Sequence, residues 1–146
     1  MTTQMLAPKQ KILAVDDDAD LLGLLELVLV RAGFDVAVAA DGPEALRYVD
    51  AEHPDLMVLD LTMPQMSGLT VLQELGRRAR RPRVVCLTGR TDSQPREKAW
   101  ALGVDDYVTK PFGVNRIVEV VREVARRDWA LRELHRRTAL DGLSWT

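Results

Sequence analysis

Four aspartates stand where apolar segments of this sequence end, and their residue type suits metal and phosphate chemistry. Asp16, Asp17 and Asp18 follow directly on the apolar residues of "KILAV". Asp60 closes a second apolar run, "LMVL". Crowded carboxylates repel one another unless a cation offsets their charge, and Mg²⁺ prefers such oxygen ligands. A carboxylate can also act as a nucleophile and form an acyl phosphate, so the aspartates indicate a magnesium site with a nucleophile in it.

A hydroxyl and an ammonium group stand in matching positions, at the ends of two further apolar runs. Thr88 follows "VVCL", and Lys110 follows "DYVT". A lysine can neutralise charge on phosphoryl oxygens during transfer, and a threonine hydroxyl can donate to such an oxygen. Taken singly, Thr88 is an ordinary turn residue and Lys110 a solvated one, while Asp18 is expected to cap the helix after it. The combination, rather than any single residue, points to phosphoryl chemistry.

Short apolar runs alternate five times with amphipathic segments, which predicts an α/β fold: a five-stranded, doubly wound parallel sheet with helices on both faces. The predicted strands are 11–15, 34–40, 55–60, 83–89 and 104–110. The predicted helices are 20–33, 42–52, 68–79, 93–103 and 114–137. Ligands bind such sheets outside the carboxyl ends of the strands, where the aspartates, Thr88 and Lys110 all stand. We therefore expect a single site at that edge.

Composition predicts one soluble domain in the cytoplasm. The 146 residues are 47% apolar and 29% charged, and a net charge of −2 gives no general attraction to nucleic acid. The longest apolar run, 21–30, is interrupted by Glu26 and is shorter than the roughly 20 residues of a membrane span. The first residues lack the apolar stretch of a signal peptide, so no membrane association is expected. The single cysteine, Cys86, lies in a predicted strand and is expected to be a buried thiol.

Four motifs in order resemble the receiver domain of bacterial two-component response regulators. They are "VDDD" after the first strand, "LDLTMPQMSG" after the third, "LTG" after the fourth and "DDYVTKPF" around the fifth. The resemblance runs from about Lys9 to Arg127. It implies the flavodoxin-like, CheY-like strand order 2-1-3-4-5. It also implies a receiver domain at 8–127, followed at 128–146 by an extension of the fifth helix and a linker or tail.

The resemblance implies that Asp60 accepts a phosphoryl group and that Lys110 binds the phosphate. Asp17 and Asp60 would be direct Mg²⁺ ligands, and Asp16 would act through water. The main-chain carbonyl of Thr62 would be a further ligand.

The resemblance also implies a conformational switch. Thr88 would be drawn towards the phosphoryl group, and Tyr107 would rotate into the space that Thr88 leaves. Thr62 and Arg90 would tune the lifetime of the acyl phosphate. The Lys110–Pro111 bond is expected to be cis, and Pro64 and Gly68 are expected to shape the loop after Asp60.

The implied partner is a sensor histidine kinase or a phosphotransfer protein. A homodimer through the face of the fourth helix, fifth strand and fifth helix is a further option. Winged-helix regulators usually dimerise there through a charge set that Ala101, Arg116 and Val120 do not reproduce, which argues against that form of dimer. Contact with nucleic acid is expected only through an output domain that this chain does not contain.

Two interpretations of the last residues stay open: the chain acts alone as a receiver, or it is part of a longer protein. The fifth helix is predicted to continue through "DWALRELHRR" to Arg137. Arginines are frequent in 122–137 and 77–83, and both groups are expected to be solvated. A partner-facing stripe is the alternative for Trp129, Leu131 and Leu134. A weak similarity to the start of diguanylate cyclase domains involves Asp141, Leu143 and Ser144.

Two other functions fit the residues less well. Metal phosphatases of the haloacid-dehalogenase type use an aspartate nucleophile, but they carry a second aspartate where this sequence has Thr62. Their nucleophile also follows the first strand, not the third. A degenerate receiver that only binds partners normally lacks an acid or the lysine, and this chain keeps all of them. The sequence therefore favours a signalling phosphoacceptor over an enzyme.

Overall fold

The computed structural model describes residues 9–89, 93–127, 134 and 137–139 of the chain. Five strands are formed: β1 (Lys11–Val15), β2 (Asp35–Ala39), β3 (Leu56–Asp60), β4 (Arg83–Gly89) and β5 (Asp106–Lys110). Five helices alternate with them: α1 (Ala19–Arg31), α2 (Gly42–Glu52), α3 (Gly68–Leu75), α4 (Ser93–Ala101) and α5 (Val114–Arg126). The strands form one parallel sheet in the order β2-β1-β3-β4-β5, so the expected fold class is confirmed.

The sheet is covered on both faces because the middle residues of its central strands are apolar, as parallel strands between two helical layers must be. All five residues of β3 are buried. One core layer joins the sheet to α2, α3 and α4, and its members include Val49, Leu72 and Trp100. The other layer joins the sheet to α1 and α5. In α5, Ile117, Val120, Val121 and Val124 are buried, which is the spacing of one helical face.

Strand register brings the carboxyl ends of the strands to the same edge. Val15 pairs with Leu59, so Asp16 and Asp60 are the next residues on neighbouring strands. Thr88 of β4 pairs with Thr109 of β5, and Lys110 follows it. The topology therefore places Asp16, Asp60, Thr88 and Lys110 at this one edge, whereas Tyr107 lies near the start of β5.

Local signals in the sequence account for the ends of the first helices. Asp18 is the N-cap of α1, and its carboxylate accepts hydrogen bonds from the amides of Asp20 and Leu21, as expected. Gly33, just beyond the end of α1, adopts a φ of 102°, a left-handed conformation that favours glycine. Pro43 lies in the first turn of α2, where its missing amide hydrogen is not needed.

Arginines hold the carboxyl ends of several helices at the opposite edge of the sheet. Arg81 donates to the carbonyls of Leu102 and Gly103, beyond α4. Arg83 donates to the last carbonyls of α5, and Arg122 donates to the carbonyl of Ala32. Helix ends leave such carbonyls without partners within the helix. The prediction that the arginines of 77–83 are simply solvated is therefore wrong for Arg81 and Arg83.

The fifth helix ends earlier than predicted, and residues 128–133 and 135–136 of its predicted continuation lie outside the described residues. Helix α5 ends at Arg126, and Arg127 has extended backbone angles, with φ −66° and ψ 136°. The Arg127 side chain is only 4% exposed and donates to the carbonyl of Asp105. It also contacts the carboxylates of Asp106 and Glu123. These contacts hold Arg127 in place at the end of α5.

The predicted features of the last segment are only partly within the described residues. Trp129 and Leu131 lie outside them, as do Asp141, Leu143 and Ser144. Leu134 is helical, and its side chain is 62% exposed. No helix in the described part of the chain combines the length and the apolar character that a membrane span requires.

Candidate functional site

The three aspartates at the end of β1 lie in different surroundings. Asp16 is fully buried, whereas Asp17 is exposed. The amide of Asp18 donates to Oδ1 of Asp16 at 3.0 Å, which fixes the Asp16 carboxylate. Because Asp18 caps α1, only Asp16 and Asp17 remain available for site chemistry.

Asp60, the last residue of β3, is 3% exposed and lies opposite that pair. Its Oδ1 accepts a hydrogen bond from the amide of Thr62 at 3.0 Å. The loop after Asp60 returns close to the strand, and the amide of Gly68 donates to the carbonyl of Leu61. A Cβ atom at position 68 would lie 2.7 Å from the Cα of Leu61 and would also clash with the Asp60 carbonyl. Gly68 therefore permits the tight loop that positions Asp60.

Carboxylate oxygens of Asp16, Asp17 and Asp60 lie within 4.8 Å of one another, an arrangement that could hold a metal ion. The ammonium group of Lys110 adjoins them, with Nζ 3.0 Å from Asp16 and 3.4 Å from Asp60. The bond from Lys110 to Pro111 is cis, as expected. The edge of the sheet thus combines three acids with one cation.

Burial is the main influence on the acid–base properties of this cluster. Burial raises the pKa of Asp60 to about 6, and the nearby charge of Asp16 adds to the rise. The Thr62 amide and Lys110 act in the opposite direction. For Lys110, burial favours a lower pKa, but its hydrogen bond to Asp16 and the charge of Asp60 outweigh burial and raise it. The Asp60 carboxylate is therefore held between a cation and a second buried acid.

Thr88 lies on β4 and Tyr107 on the neighbouring strand β5. The Thr88 side chain is buried, and its hydroxyl donates to the carbonyl of Gly89 at 3.4 Å. Among the described residues, no hydrogen bond joins it to Asp60. Tyr107 is half-buried, its ring meets the ring of Trp100 edge-on at 5.8 Å, and its hydroxyl accepts from Arg96 at 3.0 Å. The strand register pairs Thr88 with Thr109 and Tyr107 with Cys86, so the two residues are offset along neighbouring strands, and no described hydrogen bond joins either to Asp60.

Other predicted site residues are less informative. The side chain of Thr62 is exposed, and the role of its carbonyl stays a prediction. Arg90 lies outside the described residues. At the positions that bear charges in winged-helix regulators, Ala101 and Arg116 are exposed and Val120 is buried. A buried Val120 presents no group to a second copy.

The comparisons with known proteins agree with this arrangement. The family model described as "Response regulator receiver domain" matches residues 12–122. The chain belongs to the response regulator receiver family. It is therefore a receiver of the kind used in two-component signalling, a class that generally signals rather than catalyses reactions on other molecules.

Among curated proteins, the receiver resembles regulators of transcription. It is 44% identical over 119 residues to the probable transcriptional regulator ycf27 of Porphyridium aerugineum, covering 82% of this chain and 49% of that protein. It is 40% identical over 123 residues to the transcriptional regulatory protein KdpE of Mycobacterium tuberculosis, covering 84% of this chain and 54% of that one. The chain thus spans about half the length of these relatives.

Solved receiver structures share the fold. A signal receiver domain from Bermanella marisrubri superposes with a TM-score of 0.76 at 30% identity, covering 82% of this chain and all of that one. The chemotaxis response regulator CheY4 of Vibrio cholerae gives a TM-score of 0.76 at 27% identity, covering 80% and 99%.

Sequence reasoning missed two arginines of this receiver. Arg96 contacts Tyr107, and Arg127 is buried against β5 and α5. Neither has a local signal in the sequence: Arg96 is the one arginine of α4, and Arg127 follows Arg122 and Arg126, which are both exposed. Only the three-dimensional packing distinguishes these two from their neighbours.

Proposed function

We propose that the chain is a Mg²⁺-dependent phosphoacceptor switch, in which Asp60 receives a phosphoryl group from a sensor histidine kinase or a phosphotransfer protein. The observation that carries the proposal is the cluster of Asp16, Asp17 and Asp60 with the ammonium group of Lys110 3.4 Å from Asp60. A buried nucleophile next to a metal-binding acid pair and a fixed cation suits phosphoryl transfer better than any other common chemistry.

The donor set fits Mg²⁺. Three carboxylates within 4.8 Å supply hard oxygen ligands, and the exposed Asp17 leaves the site open to solvent and to a phosphate. Asp17, Asp60 and the carbonyl of Thr62 would bind the ion directly, and Asp16 would bind it through water. Bound Mg²⁺ would neutralise charge on the carboxylates and the phosphoryl oxygens.

In the transfer step, a carboxylate oxygen of Asp60 attacks phosphorus while the phosphorus–nitrogen bond of the donor histidine breaks. The donor imidazole leaves with the bonding electron pair and takes up a proton, and Asp60 becomes an acyl phosphate. Lys110 offsets the negative charge on the phosphoryl oxygens. Burial of Asp60 excludes bulk water from the attacking oxygen.

The switch follows from the new dianion. Thr88 turns its hydroxyl from the Gly89 carbonyl to the phosphoryl group, and Tyr107 rotates into the space that Thr88 leaves. The surface formed by α4, β5 and α5 changes in consequence, and this surface would contact a partner, a second copy or an output domain. A local charge thereby biases a two-state element. Thr62 and Arg90 would set how long the acyl phosphate lasts.

The domain division at 8–127 and 128–146 remains part of the proposal. Buried Arg127 supports a receiver that closes at that residue. Because the matched relatives are transcriptional regulators about twice as long, an attached or partner output that controls transcription is the favoured role for the whole protein.

The test is phosphorylation by acetyl phosphate, followed by intact-protein mass. With Mg²⁺, the wild-type chain should gain one phosphoryl group, and EDTA should prevent the gain. The Asp60→Asn variant should gain none, whereas Asp55→Asn, a matched change at the other end of β3, should behave as wild type. Modification that persists in Asp60→Asn would overturn the assignment.

A further inference from the structure

Arg96 of α4 makes two contacts with Tyr107 of β5. Its Nη1 donates to the tyrosine hydroxyl at 3.0 Å, and its Cζ lies 4.9 Å from the centre of the tyrosine ring. The first is a hydrogen bond to a charged donor, and the second is a cation–π contact. Both link the fourth helix to the residue that we propose to rotate.

Burial of the same guanidinium also leaves one of its hydrogen-bond donors without a partner. Among the described side chains, Nε of Arg96 is the one buried nitrogen or oxygen without a hydrogen-bond partner. Leaving such a donor buried is unfavourable, so part of the stabilisation from the two contacts is offset. An arrangement with this balance is suited to being broken and re-formed.

Trp100 restricts the tyrosine from the other side. Its ring meets the Tyr107 ring at an interplanar angle of 82° and is almost completely buried in the core. Tyr107 is therefore held between a fixed aromatic ring and a charged side chain, both on α4. Rotation of Tyr107 towards Thr88 must break the hydrogen bond from Arg96.

We propose that Arg96 is a positioning residue that holds Tyr107 against α4 and so sets how readily the receiver switches. The inference rests on the proposed function, since it assumes that Tyr107 moves when the Asp60 site is occupied. Removing the guanidinium should raise the population of the rotated tyrosine in the free protein. The apparent affinity for a phosphoryl analogue rises by the same factor, because less of the binding free energy is spent on the rotation.

The experiment uses tyrosine ring resonances, because the chain contains only two tyrosines, Tyr48 and Tyr107. The full chain is labelled on its tyrosine rings and titrated with beryllium fluoride at constant Mg²⁺, and Tyr48 on α2 is the internal control. The variants are Arg96→Met, which keeps the aliphatic stem, and Arg96→Lys, which keeps a donor. Lys98→Met removes a positive charge from an exposed position on the same helix and serves as the matched control.

In Arg96→Met, the Tyr107 resonance of the free protein should move towards its fully titrated position. The beryllium fluoride midpoint should fall by about threefold to tenfold. Arg96→Lys should lie between Arg96→Met and wild type, and Lys98→Met should match wild type. An equal change in the free and the fully titrated positions of the Tyr107 resonance would mean a general disturbance and would overturn the inference. A shift of the Tyr48 resonance would do the same. If Arg96→Met does not fold, a wild-type midpoint in Arg96→Lys would overturn it as well.

Failure of the proposed function has a different signature. The wild-type chain would then show no Tyr107 response to beryllium fluoride, or the response would survive in Asp60→Asn. A normal wild-type response with an unchanged midpoint in Arg96→Met would leave the phosphoacceptor assignment intact and remove only the role of Arg96.

Discussion

The ammonium nitrogen of Lys110 lies 3.0 Å from Oδ2 of Asp16, although 94 residues separate the two in sequence. Asp16 is completely buried, and a buried carboxylate is costly unless it is paired. The same nitrogen also lies 3.4 Å from Asp60. Lys110 therefore stabilises the fold when no metal is bound, in addition to its proposed contact with phosphate.

Replacing Lys110 by methionine should destabilise the metal-free protein by about 1–3 kcal/mol, because the charge of Asp16 loses its partner. Urea unfolding in EDTA measures the change. Adding Asp16→Asn to Lys110→Met should recover part of the loss, and Lys98→Met should have little effect. Equal losses for the two lysine variants would contradict this account.

Stability should depend on pH through Asp60. Its pKa is raised to about 6 by burial, above the value near 4 of an unfolded chain. The folded state therefore holds this proton more tightly, and the stability present at low pH is lost as pH rises through about 6. In EDTA, Asp60→Asn should be more stable than wild type by about 2 kcal/mol at pH 7.5, with the difference vanishing near pH 4.

Urea unfolding of both proteins across this pH range is the measurement. Asp55→Asn, at the opposite end of β3, provides the comparison. A stabilisation by Asp60→Asn that is the same at pH 4 and pH 7.5 would rule out the raised pKa as its cause.

Strand and helix positions were predictable from the sequence because each element is short and regular. The residues that precede Asp60 and Thr88 in their strands are continuous apolar runs, and the first helix has its own cap at Asp18 and a left-handed glycine, Gly33, just beyond its end. Once the elements are known, the rule that parallel strands end together brings the site residues to one edge. The acid pair and Lys110 could be expected at that edge for this reason.

The end of α5 and the contact of Arg96 could not be predicted, because both depend on contacts between distant elements. Arg127 ends α5 through partners on β5, and the sequence there contains no glycine or proline to signal a stop. Arg96 differs from other arginines only because Tyr107 lies beside it. The strand order was implied by the family resemblance and not by the residue pattern.

Gly68 should tolerate no side chain. A Cβ at this position would meet the backbone of Asp60 and Leu61, which cannot move without shifting the Asp60 carboxylate. We expect Gly68→Ala to cost at least about 2 kcal/mol and to slow phosphorylation by acetyl phosphate. Gly23, in the middle of α1, has open space around it, so Gly23→Ala should stabilise the protein by about 0.5–1 kcal/mol. Thermal unfolding of the pair checks the prediction, and similar effects at both sites would contradict it.

Arg127 should contribute more to the stability of the folded receiver than its neighbour Arg126. Its guanidinium is buried and donates to the Asp105 carbonyl and to the carboxylates of Asp106 and Glu123. Arg127→Met should destabilise the receiver by about 2–4 kcal/mol, because the hydrogen bonds and ion pairs of a buried guanidinium are lost. Arg126→Met, at an exposed position, should change stability by less than about 0.5 kcal/mol. Chemical unfolding that shows equal effects would mean that the buried contacts contribute nothing.

Mg²⁺ should stabilise the folded chain through Asp17. A ligand that binds only the folded state raises stability with concentration, by about 2.7 kcal/mol at one hundred times its dissociation constant. Asp17 contributes a carboxylate to the acid cluster, while Asp20 lies one turn later on α1 and is exposed. Thermal unfolding with increasing Mg²⁺ should therefore show a rise in wild type and in Asp20→Asn but little in Asp17→Asn. An equal rise in all three proteins would place the ion elsewhere, and the acid pair would then need another explanation.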